Sequence, residues 1–428
     1  MSASTTGSDQ QQGRRPRFEG LIASSGLACD YVVDGDALAG DVQDDGLFYA
    51  GSAVTPGFSA IVERARCLNL QLVMDNGDVA LGDCLSVIRS GSHGRASPLI
   101  PELQQRVVAD EVSPRLIGRD VGAFREMAAE VAGITVAGEP LHPAVTYGLS
   151  QALLNAAALT RRCTMAEVVA DEYGLPRPTT SVPIFGCADW RYPQVVDRMI
   201  ASGADALPHG GFTSVESIGD DGEKLVGYVL WASQRVRAHS PAGRLPSLHV
   251  DVYGTIGEVC GGDLGRVIGY LEHLAEAADP LRLSVEDPVR ASDGEARRQL
   301  MAELVRRIDR QRIPVSVVAD ENCNVLEDIE LWASEHAAHM IHVKLPDLGS
   351  LSNSVEAALA CHREGVGVYI GGTMNDTDVS GRAGLHLALA VQADLVMAKP
   401  GMWPDVSIAL TRNEMSRTLR LCALRRSV

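Results

Sequence analysis

Three acidic residues in the second half of the chain occupy equivalent places. Asp251, Glu286 and Asp320 each stand at the end of a short apolar run. If these runs are parallel strands of one barrel, their carboxyl ends share a rim and the three carboxylates converge. Converging carboxylates repel one another unless a cation lies among them. Because Mg²⁺ prefers oxygen ligands and keeps positions for water and substrate, we expect a magnesium site. Helix capping by each acid is the competing interpretation.

Two candidate bases accompany the acids. Lys344 ends the next apolar run, and an amine beside a cation site gives up its proton more readily. His209 follows an earlier run and is expected to face Lys344 across the barrel mouth. Together these residues predict removal of a proton from the carbon beside a carboxylate, followed by loss of a leaving group or by return of the proton to the other face.

The elements that must position these residues recur after residue 176. Eight short β-rich runs are each followed by a helical stretch, which is the number and size expected of a (β/α)8 barrel. The runs cover residues 181–185, 204–207, 248–252, 281–285, 315–319, 340–343, 366–370 and 395–398. Polar groups also end the other runs, namely Cys187, Glu321, Thr373 and Lys399.

The first part of the chain mixes strand and helix patterns. Asn76-Gly77 lies between two strand-like runs and predicts a hairpin. Residues 34–57 are rich in Gly and Asp and are expected to form a mobile surface loop that could close over the site as a lid. We therefore expect a disordered segment at residues 1–17, an α+β capping domain at 18–175 and the catalytic barrel at 176–428.

Composition excludes several classes of partner. The net charge of −17 argues against binding to nucleic acid or to an anionic membrane. Nine cysteines without C-x-x-C spacing indicate reduced thiols in the cytoplasm. No stretch approaches the roughly 18 apolar residues of a membrane-spanning helix. Arg14-Arg15 and the run after it superficially resemble an export signal, but Glu19 and Ser24-Ser25-Gly26 interrupt that run.

Several motifs resemble those of the methylaspartate ammonia-lyase family, within the enolase superfamily. The similarity extends from about residue 20 to residue 426. The segments that carry it are His-Val-Asp-Val-Tyr-Gly-Thr-Ile-Gly at 249–257, Val-Ala-Asp-Glu at 318–321, Lys-Leu-Pro-Asp-Leu-Gly at 344–349, Gly-Gly-Thr-Met-Asn at 371–375, Ala-Lys-Pro-Gly-Met at 398–402 and Met-Ala-Glu-Val at 165–168.

The resemblance implies an α+β capping domain on a modified TIM barrel and a homodimer that removes ammonia from 3-methylaspartate to give mesaconate. It implies that Asp251, Glu286 and Asp320 bind Mg²⁺ and that Lys344 is the base for one substrate epimer. His209 would be the base for the other epimer or a partner of the metal-bound carboxylate. The implied substrate contacts are Phe185 and Tyr369 around the methyl group and Thr373 at a carboxylate.

The chain departs from the family pattern around the substrate. Ile88, Cys187 and His342 stand where the family has glutamines, and Met374 replaces a cysteine. A buried ammonium without hydrogen-bonding partners is costly, by about 1–3 kcal/mol per lost contact. These departures motivate two alternatives. One is elimination from an N-substituted aspartate or from a sulfur- or oxygen-substituted succinate, and the other is racemisation or epimerisation of a carboxylate. A binding protein without catalysis is a further alternative, which the intact acids and lysine disfavour.

Overall fold

The chain folds into an α+β unit packed on a barrel. The computed structural model describes residues 14–39, 42–87, 90, 94–187, 193–241, 243–401 and 403–425. Most of the segment predicted to be disordered, and also Ile88, lie outside these ranges. Arg17 is already fixed, because its backbone N–H donates to Asp75 and its side chain pairs with Asp120.

The α+β unit is built on a three-stranded antiparallel sheet in the order β1-β4-β5, and β4 and β5 form the predicted hairpin at Asn76-Gly77. Its strands are β1 (Phe18–Val33), β2 (Gln43–Asp45), β3 (Phe48–Ala50), β4 (Val62–Met74), β5 (Val79–Leu85), β6 (Thr135–Val136) and β7 (Glu139–Pro140). Its helices are α1 (Pro101–Val107), the π-helical turn Val108–Val112, α2 (Ser113–Leu116), α3 (Phe124–Ala132), α4 (Pro143–Arg161) and α5 (Met165–Tyr173).

Helix α4 covers this sheet and is apolar around most of its circumference, as expected of a helix buried on all sides. It begins at Pro143, where the missing N–H costs nothing, and His142 caps it by accepting from Ala144 N. Gly82 of β5 meets Gly148 of α4. A Cβ on Gly82 would lie 2.0 Å from the Gly148 carbonyl oxygen, so only glycine permits this approach.

Residues 34–57 carry more regular structure than their composition predicts. They contain the 3₁₀ turn Ala37–Ala39 and the hairpin of β2 and β3. The buried Asp34 carboxylate accepts from Val54 N at 2.6 Å and from Thr55 N at 2.8 Å, so the segment is tied together at its base. Closure of this segment over the site stays a prediction.

The second unit is a closed barrel of eight parallel strands, which confirms the predicted architecture. Its strands are β8 (Ile184–Phe185), β9 (Ala206–Gly211), β10 (Ser247–Asp251), β11 (Leu283–Glu286), β12 (Val315–Ala319), β13 (Met340–Lys344), β14 (Gly367–Gly371) and β15 (Leu395–Met397). Each overlaps one predicted run.

Helices follow every strand of the second unit, with two helices after β9 and two after β10. They are α6 (Pro193–Ala201), α7 (Val215–Ile218), α8 (Glu223–His239), α9 (Thr255–Val259), α10 (Leu264–Ala278), α11 (Gly294–Gln311), α12 (Leu326–Ser334), α13 (Leu351–Arg363), α14 (Asp378–Val391) and α15 (Pro404–Leu424). Within the described ranges, none of the helices is long and apolar enough to cross a membrane.

Polar contacts join the two units at the loop after β14. Asn375 Nδ2 donates to Ser86 O at 2.9 Å, and Tyr147 OH donates to Asp376 Oδ1 at 3.2 Å. The α+β unit therefore holds one of the loops that surround the carboxyl ends of the barrel strands, where barrel enzymes place their active sites.

Candidate active site

The three predicted acids come together at one rim of the barrel. Asp251 and Glu286 end β10 and β11 and are register partners, and Asp320 directly follows β12. All three are at least 95% buried. One ligand atom each from His209, Asp251 and Glu286 lies within 4.8 Å of the others, and the same holds for Glu286, Asp320 and His342. Glu286 is therefore the shared centre of the cluster.

Histidines surround Glu286. His249 Nε2 lies 2.7 Å from Glu286 Oε2, His209 Nε2 lies 3.6 Å from the same oxygen, and His342 Nδ1 lies 3.4 Å from Oε1. Burial raises the pKa of Glu286, but the three imidazoles lower it by more than burial raises it. The pKa of Glu286 therefore lies well below its usual value, and the side chain stays ionised. Asp251 has a more distant imidazole, with His209 Nε2 3.9 Å from its Oδ2, and burial together with the Glu286 charge holds the pKa of Asp251 well above the ordinary value.

Lys344 lies on the far side of the cluster from His209. Its Nζ donates to Asp320 Oδ2 at 2.7 Å. In the closed barrel, β9 and β13 are four strands apart in either direction, so His209 and Lys344 come from opposite walls, as the sequence predicted. A molecule held at the acids would thus present one face to each residue.

The protonation of Lys344 is set by competing charges. Burial and the nearby Arg95 guanidinium lower the pKa of Lys344, whereas Asp320, Glu321 and Asp347 raise it. The carboxylates prevail and the pKa is raised, opposite to the direction expected from the sequence. The sequence-based prediction of a lowered pKa for Lys344 assumed a cation bound at the acids, and the positive charge of that cation opposes the effect of these carboxylates.

Arg95 is a site residue that sequence reasoning missed. It comes from the α+β unit, is 8% exposed, and reaches the barrel rim. Its guanidinium lies 2.9 Å from Glu321, 2.9 Å from Asp347 and 3.9 Å from Asp320. No pattern in the sequence marks this arginine, because its partners lie more than 200 residues away. The Arg95 guanidinium compensates the negative charge beside Lys344 and holds the loops that carry these three acids.

Asp287 was also missed. It is fully buried, pairs with Arg297 at 2.8 Å, and accepts from the backbone N–H groups of Asp320 and Glu321 at 3.4 and 3.0 Å. Burial raises the pKa of Asp287 to about 7, although Arg297 opposes this. The contact fixes the backbone that carries Asp320. Its place directly after Glu286 at a strand end was the available signal.

An apolar wall lies beside the cluster. Phe185 and Tyr369 are fully buried with ring centroids 5.3 Å apart, and their centroids lie 4.6 Å and 5.9 Å from that of the His249 ring. Cys187 Sγ lies 3.1 Å from Met374 Sδ, and burial raises the pKa of the Cys187 thiol to about 12, so it is a neutral packing group. The structure therefore brings these four sequence-predicted pocket residues together.

Thr373 lies in the loop after β14, and Lys399 fixes that loop. Thr373 N donates to Asp376 Oδ2 at 2.9 Å. Lys399 Nζ donates to Thr373 O and lies 3.4 Å from Asp376. Lys399, which the sequence placed among the strand-end polar groups, thus supports the Thr373 loop.

The donor set fits a divalent cation. Asp251 Oδ2 and Glu286 Oε1 are buried and accept no hydrogen bond from any described residue. Buried carboxylate oxygens without donors are costly unless a cation or water satisfies them. Three carboxylates suit Mg²⁺, and the neighbouring imidazoles extend the set to ions that accept nitrogen.

Comparison with known proteins agrees with this geometry. Residues 17–174 match the sequence model of the methylaspartate ammonia-lyase N-terminus, and residues 178–424 match that of the C-terminus. The chain is 40% identical over 403 residues to methylaspartate ammonia-lyase 2 of Carboxydothermus hydrogenoformans. The matched residues make up 94% of this chain and 97% of that protein.

Two solved structures are similar along nearly their whole length. The magnesium complex of β-methylaspartase from Clostridium tetanomorphum has a TM-score of 0.92 at 37% identity and covers 96% of this chain and 100% of that one. The enzyme from Citrobacter amalonaticus containing (2S,3S)-3-methylaspartic acid has a TM-score of 0.92 at 38% identity, covering 95% and 99%. The chain therefore belongs to the methylaspartate ammonia-lyase family, carbon–nitrogen lyases of the enolase superfamily.

Proposed function

We propose that this chain is a Mg²⁺-dependent lyase that removes ammonia from 3-methylaspartate and releases mesaconate. The observation that carries the proposal is the buried cluster of Asp251, Glu286 and Asp320 between Lys344 and His209 on opposite barrel walls. The relatives named for this activity favour it over elimination from N-substituted aspartates or substituted succinates, and over racemisation.

The three acids would hold the metal. A bound divalent ion supplies positive charge to a substrate carboxylate and so makes the neighbouring C–H more acidic. Arg95 and Asp287 keep the Asp320 loop in place, and His249 holds Glu286 ionised through its 2.7 Å contact. The protein thus pre-organises a site for negative charge on the substrate.

Lys344 would take the proton from C3 of the substrate for one epimer. The electron pair of that C–H bond forms the C2=C3 double bond, and the C2–N bond breaks to release ammonia. His209, on the opposite wall, would act as the base for the other epimer or bind the carboxylate at the metal. Phe185 and Tyr369 would pack against the methyl group, and Thr373 would contact a carboxylate.

The altered substrate shell would reshape this pocket. Cys187 and Met374 contact each other and form part of the apolar wall, where the resemblance implies more polar side chains. His342 faces the acids. Ile88 lies outside the described residues, and its proximity to the substrate amine stays a prediction.

The test combines ultraviolet absorbance of the conjugated diacid with an assay for free ammonia, using Mg²⁺ and threo-3-methylaspartate. Both signals should rise together with the wild-type protein and vanish with Lys344→Ala. Lys224→Ala, an exposed lysine on α8, is the matched control and should retain activity. If neither signal rises although Mg²⁺ binds, the substrate assignment fails.

A second experiment separates the two candidate bases. Lys344→Ala and His209→Asn are assayed with each C3 epimer of the substrate. If the residues serve opposite faces, each variant loses one epimer and keeps the other. Loss of both epimers in His209→Asn would instead assign His209 to binding of the substrate carboxylate.

We also propose a cytoplasmic homodimer with a capping domain at residues 18–175 and the catalytic barrel at 176–428. The nine cysteines all lie in the described ranges as free thiols, which supports a reducing compartment. Light scattering coupled to gel filtration tests the dimer, and a mass near 45.5 kDa would refute it.

A further inference from the structure

His342 is a buried imidazole pointed at the acidic cluster. Its side chain is 2% exposed, and its Nδ1 lies 3.4 Å from both Glu286 Oε1 and Asp320 Oδ1. Neither ring nitrogen forms a well-oriented hydrogen bond with any described residue. A buried polar nitrogen in this state is costly unless it shares a proton with the two carboxylates or a cation lies among the three groups.

The ring of His342 is held in this orientation. It stacks on Tyr369 with centroids 4.1 Å apart and planes 22° from parallel. On its other edge, Nε2 abuts Gly371, where an added Cβ would lie 1.9 Å away. The ring is thus confined by packing, and Nδ1 is directed between the two carboxylates.

The three facing atoms have the spacing of ligands around one small ion. Two ligands each about 2.1 Å from an ion lie about 3.0 Å apart in octahedral geometry and about 3.4 Å apart in tetrahedral geometry. One atom each from Glu286, Asp320 and His342 lies within 4.8 Å of the others, with both distances from Nδ1 at 3.4 Å. Small side-chain adjustments would let all three reach one ion.

We propose that His342 Nδ1 is a nitrogen ligand of the divalent ion held by Glu286 and Asp320, so that this site favours Co²⁺ over Mg²⁺. The inference rests on the metal site of the proposed function. Imidazole nitrogen binds transition-metal ions better than Mg²⁺, which prefers carboxylate, carbonyl and water oxygen. The metal in this chain would then have both nitrogen and oxygen ligands. The family pattern has a glutamine at the position of His342, beside carboxylate ligands.

The first test is pulsed electron paramagnetic resonance of the Mn²⁺-loaded wild-type protein. Coupling of the metal spin to a directly bound ¹⁴N nucleus is expected, and labelling the histidines with ¹⁵N should change it in the characteristic way. This measurement needs no variant. Bound Mn²⁺ without nitrogen coupling would overturn the proposal while leaving the proposed function intact.

The second test identifies the histidine. H342Q should remove a nitrogen coupling that H209Q leaves in place, since His209 is the other imidazole that borders Glu286. In competition binding, the preference for Co²⁺ over Mg²⁺ should fall by about 10-fold or more in H342Q, by analogy with other changes near metal sites.

The outcomes separate three accounts. If H342Q keeps the coupling and the preference, His342 is not a ligand. If H342Q binds every divalent ion more tightly, His342 is instead a protonated group that competes with the metal, and the proposal is overturned. If the wild-type protein binds no divalent ion at all, both this proposal and the proposed function fail.

Discussion

Replacement of Arg95 tests whether its guanidinium holds together the acids at the barrel rim, which are Asp320, Glu321 and Asp347. Arg95→Met removes the guanidinium that lies 2.9 Å from Glu321 and Asp347 and 3.9 Å from Asp320, while keeping a similar apolar stem. All four side chains are at most 7% exposed, so water cannot replace the lost partner. Removing one member of a buried ion pair costs about 3–5 kcal/mol, because the remaining charges stay buried. At about 2 °C per kcal/mol for a unit of this size, the melting temperature should fall by about 6–10 °C.

The assay is differential scanning fluorimetry in EDTA, with Arg119→Met as the matched control. Arg119 pairs with Glu130 at 2.6 Å, but the two side chains are 46% and 54% exposed, so this pair is worth at most about 1 kcal/mol. The loss of melting temperature in Arg95→Met should become smaller as the pH falls toward about 5. Without the guanidinium, Asp320, Glu321 and Asp347 take up protons as the pH falls and no longer repel one another. If Arg95→Met melts at the same temperature as Arg119→Met, the guanidinium does not hold the rim.

Three further predictions concern the metal-site acid Asp251, the partly buried acid Glu414 and the helix cap Thr164. Asp251→Asn should raise the melting temperature in EDTA and abolish the stabilisation by Mg²⁺, because burial and then the charge of Glu286 hold the pKa of Asp251 well above its ordinary value, so the ionised carboxylate opposes folding when no metal is bound. An unchanged response to Mg²⁺ would remove Asp251 from the metal site. The contacts of Glu414 with His386 at 3.1 Å and with Arg382 at 2.7 Å lower the pKa of Glu414 from 4.5 to about 2. The ionised carboxylate therefore stabilises the fold above pH 4.5, and this stabilisation is lost as the pH falls toward 2. The melting temperature of Glu414→Gln should depend less on pH in this interval than that of the wild type, and an equal dependence would contradict this. Thr164 caps α5 in a reciprocal pair with Glu167, so Thr164→Ala should cost about 1 kcal/mol in thermal melts, and no measurable loss would show that the cap is dispensable.

Much of the barrel was predictable because its strands are buried on both faces and read as short apolar runs separated by helical stretches. The same regularity placed Asp251, Glu286, Asp320 and Lys344 at one rim, since the carboxyl ends of parallel strands meet there. His249 could have been found by alternation, because it lies two residues before Asp251 on β10 and so points to the same side of the strand.

Other parts of the site depend on tertiary structure that no local pattern encodes. Arg95 reaches the rim from a different unit, 252 residues before its partner Asp347. Lys399 follows the predicted run at 395–398, yet it supports the Thr373 loop, because the direction of a long side chain depends on its neighbours. The direction of the Lys344 pKa shift likewise depends on the balance of several buried charges that lie far apart in the sequence.

In the proposed reaction, the proton at C3 of the substrate, and not the one at C2, is removed as ammonia leaves. The most direct test uses 3-methylaspartate labelled with deuterium at C3 or at C2, with Mg²⁺, followed by nuclear magnetic resonance. We expect deuterium from C3 to appear in water and deuterium from C2 to stay in mesaconate. With the epimer that Lys344 serves, Lys344→Ala should neither release the C3 deuterium nor form mesaconate. Retention of the C3 deuterium, or unchanged release by Lys344→Ala with both epimers, would contradict the proposed reaction.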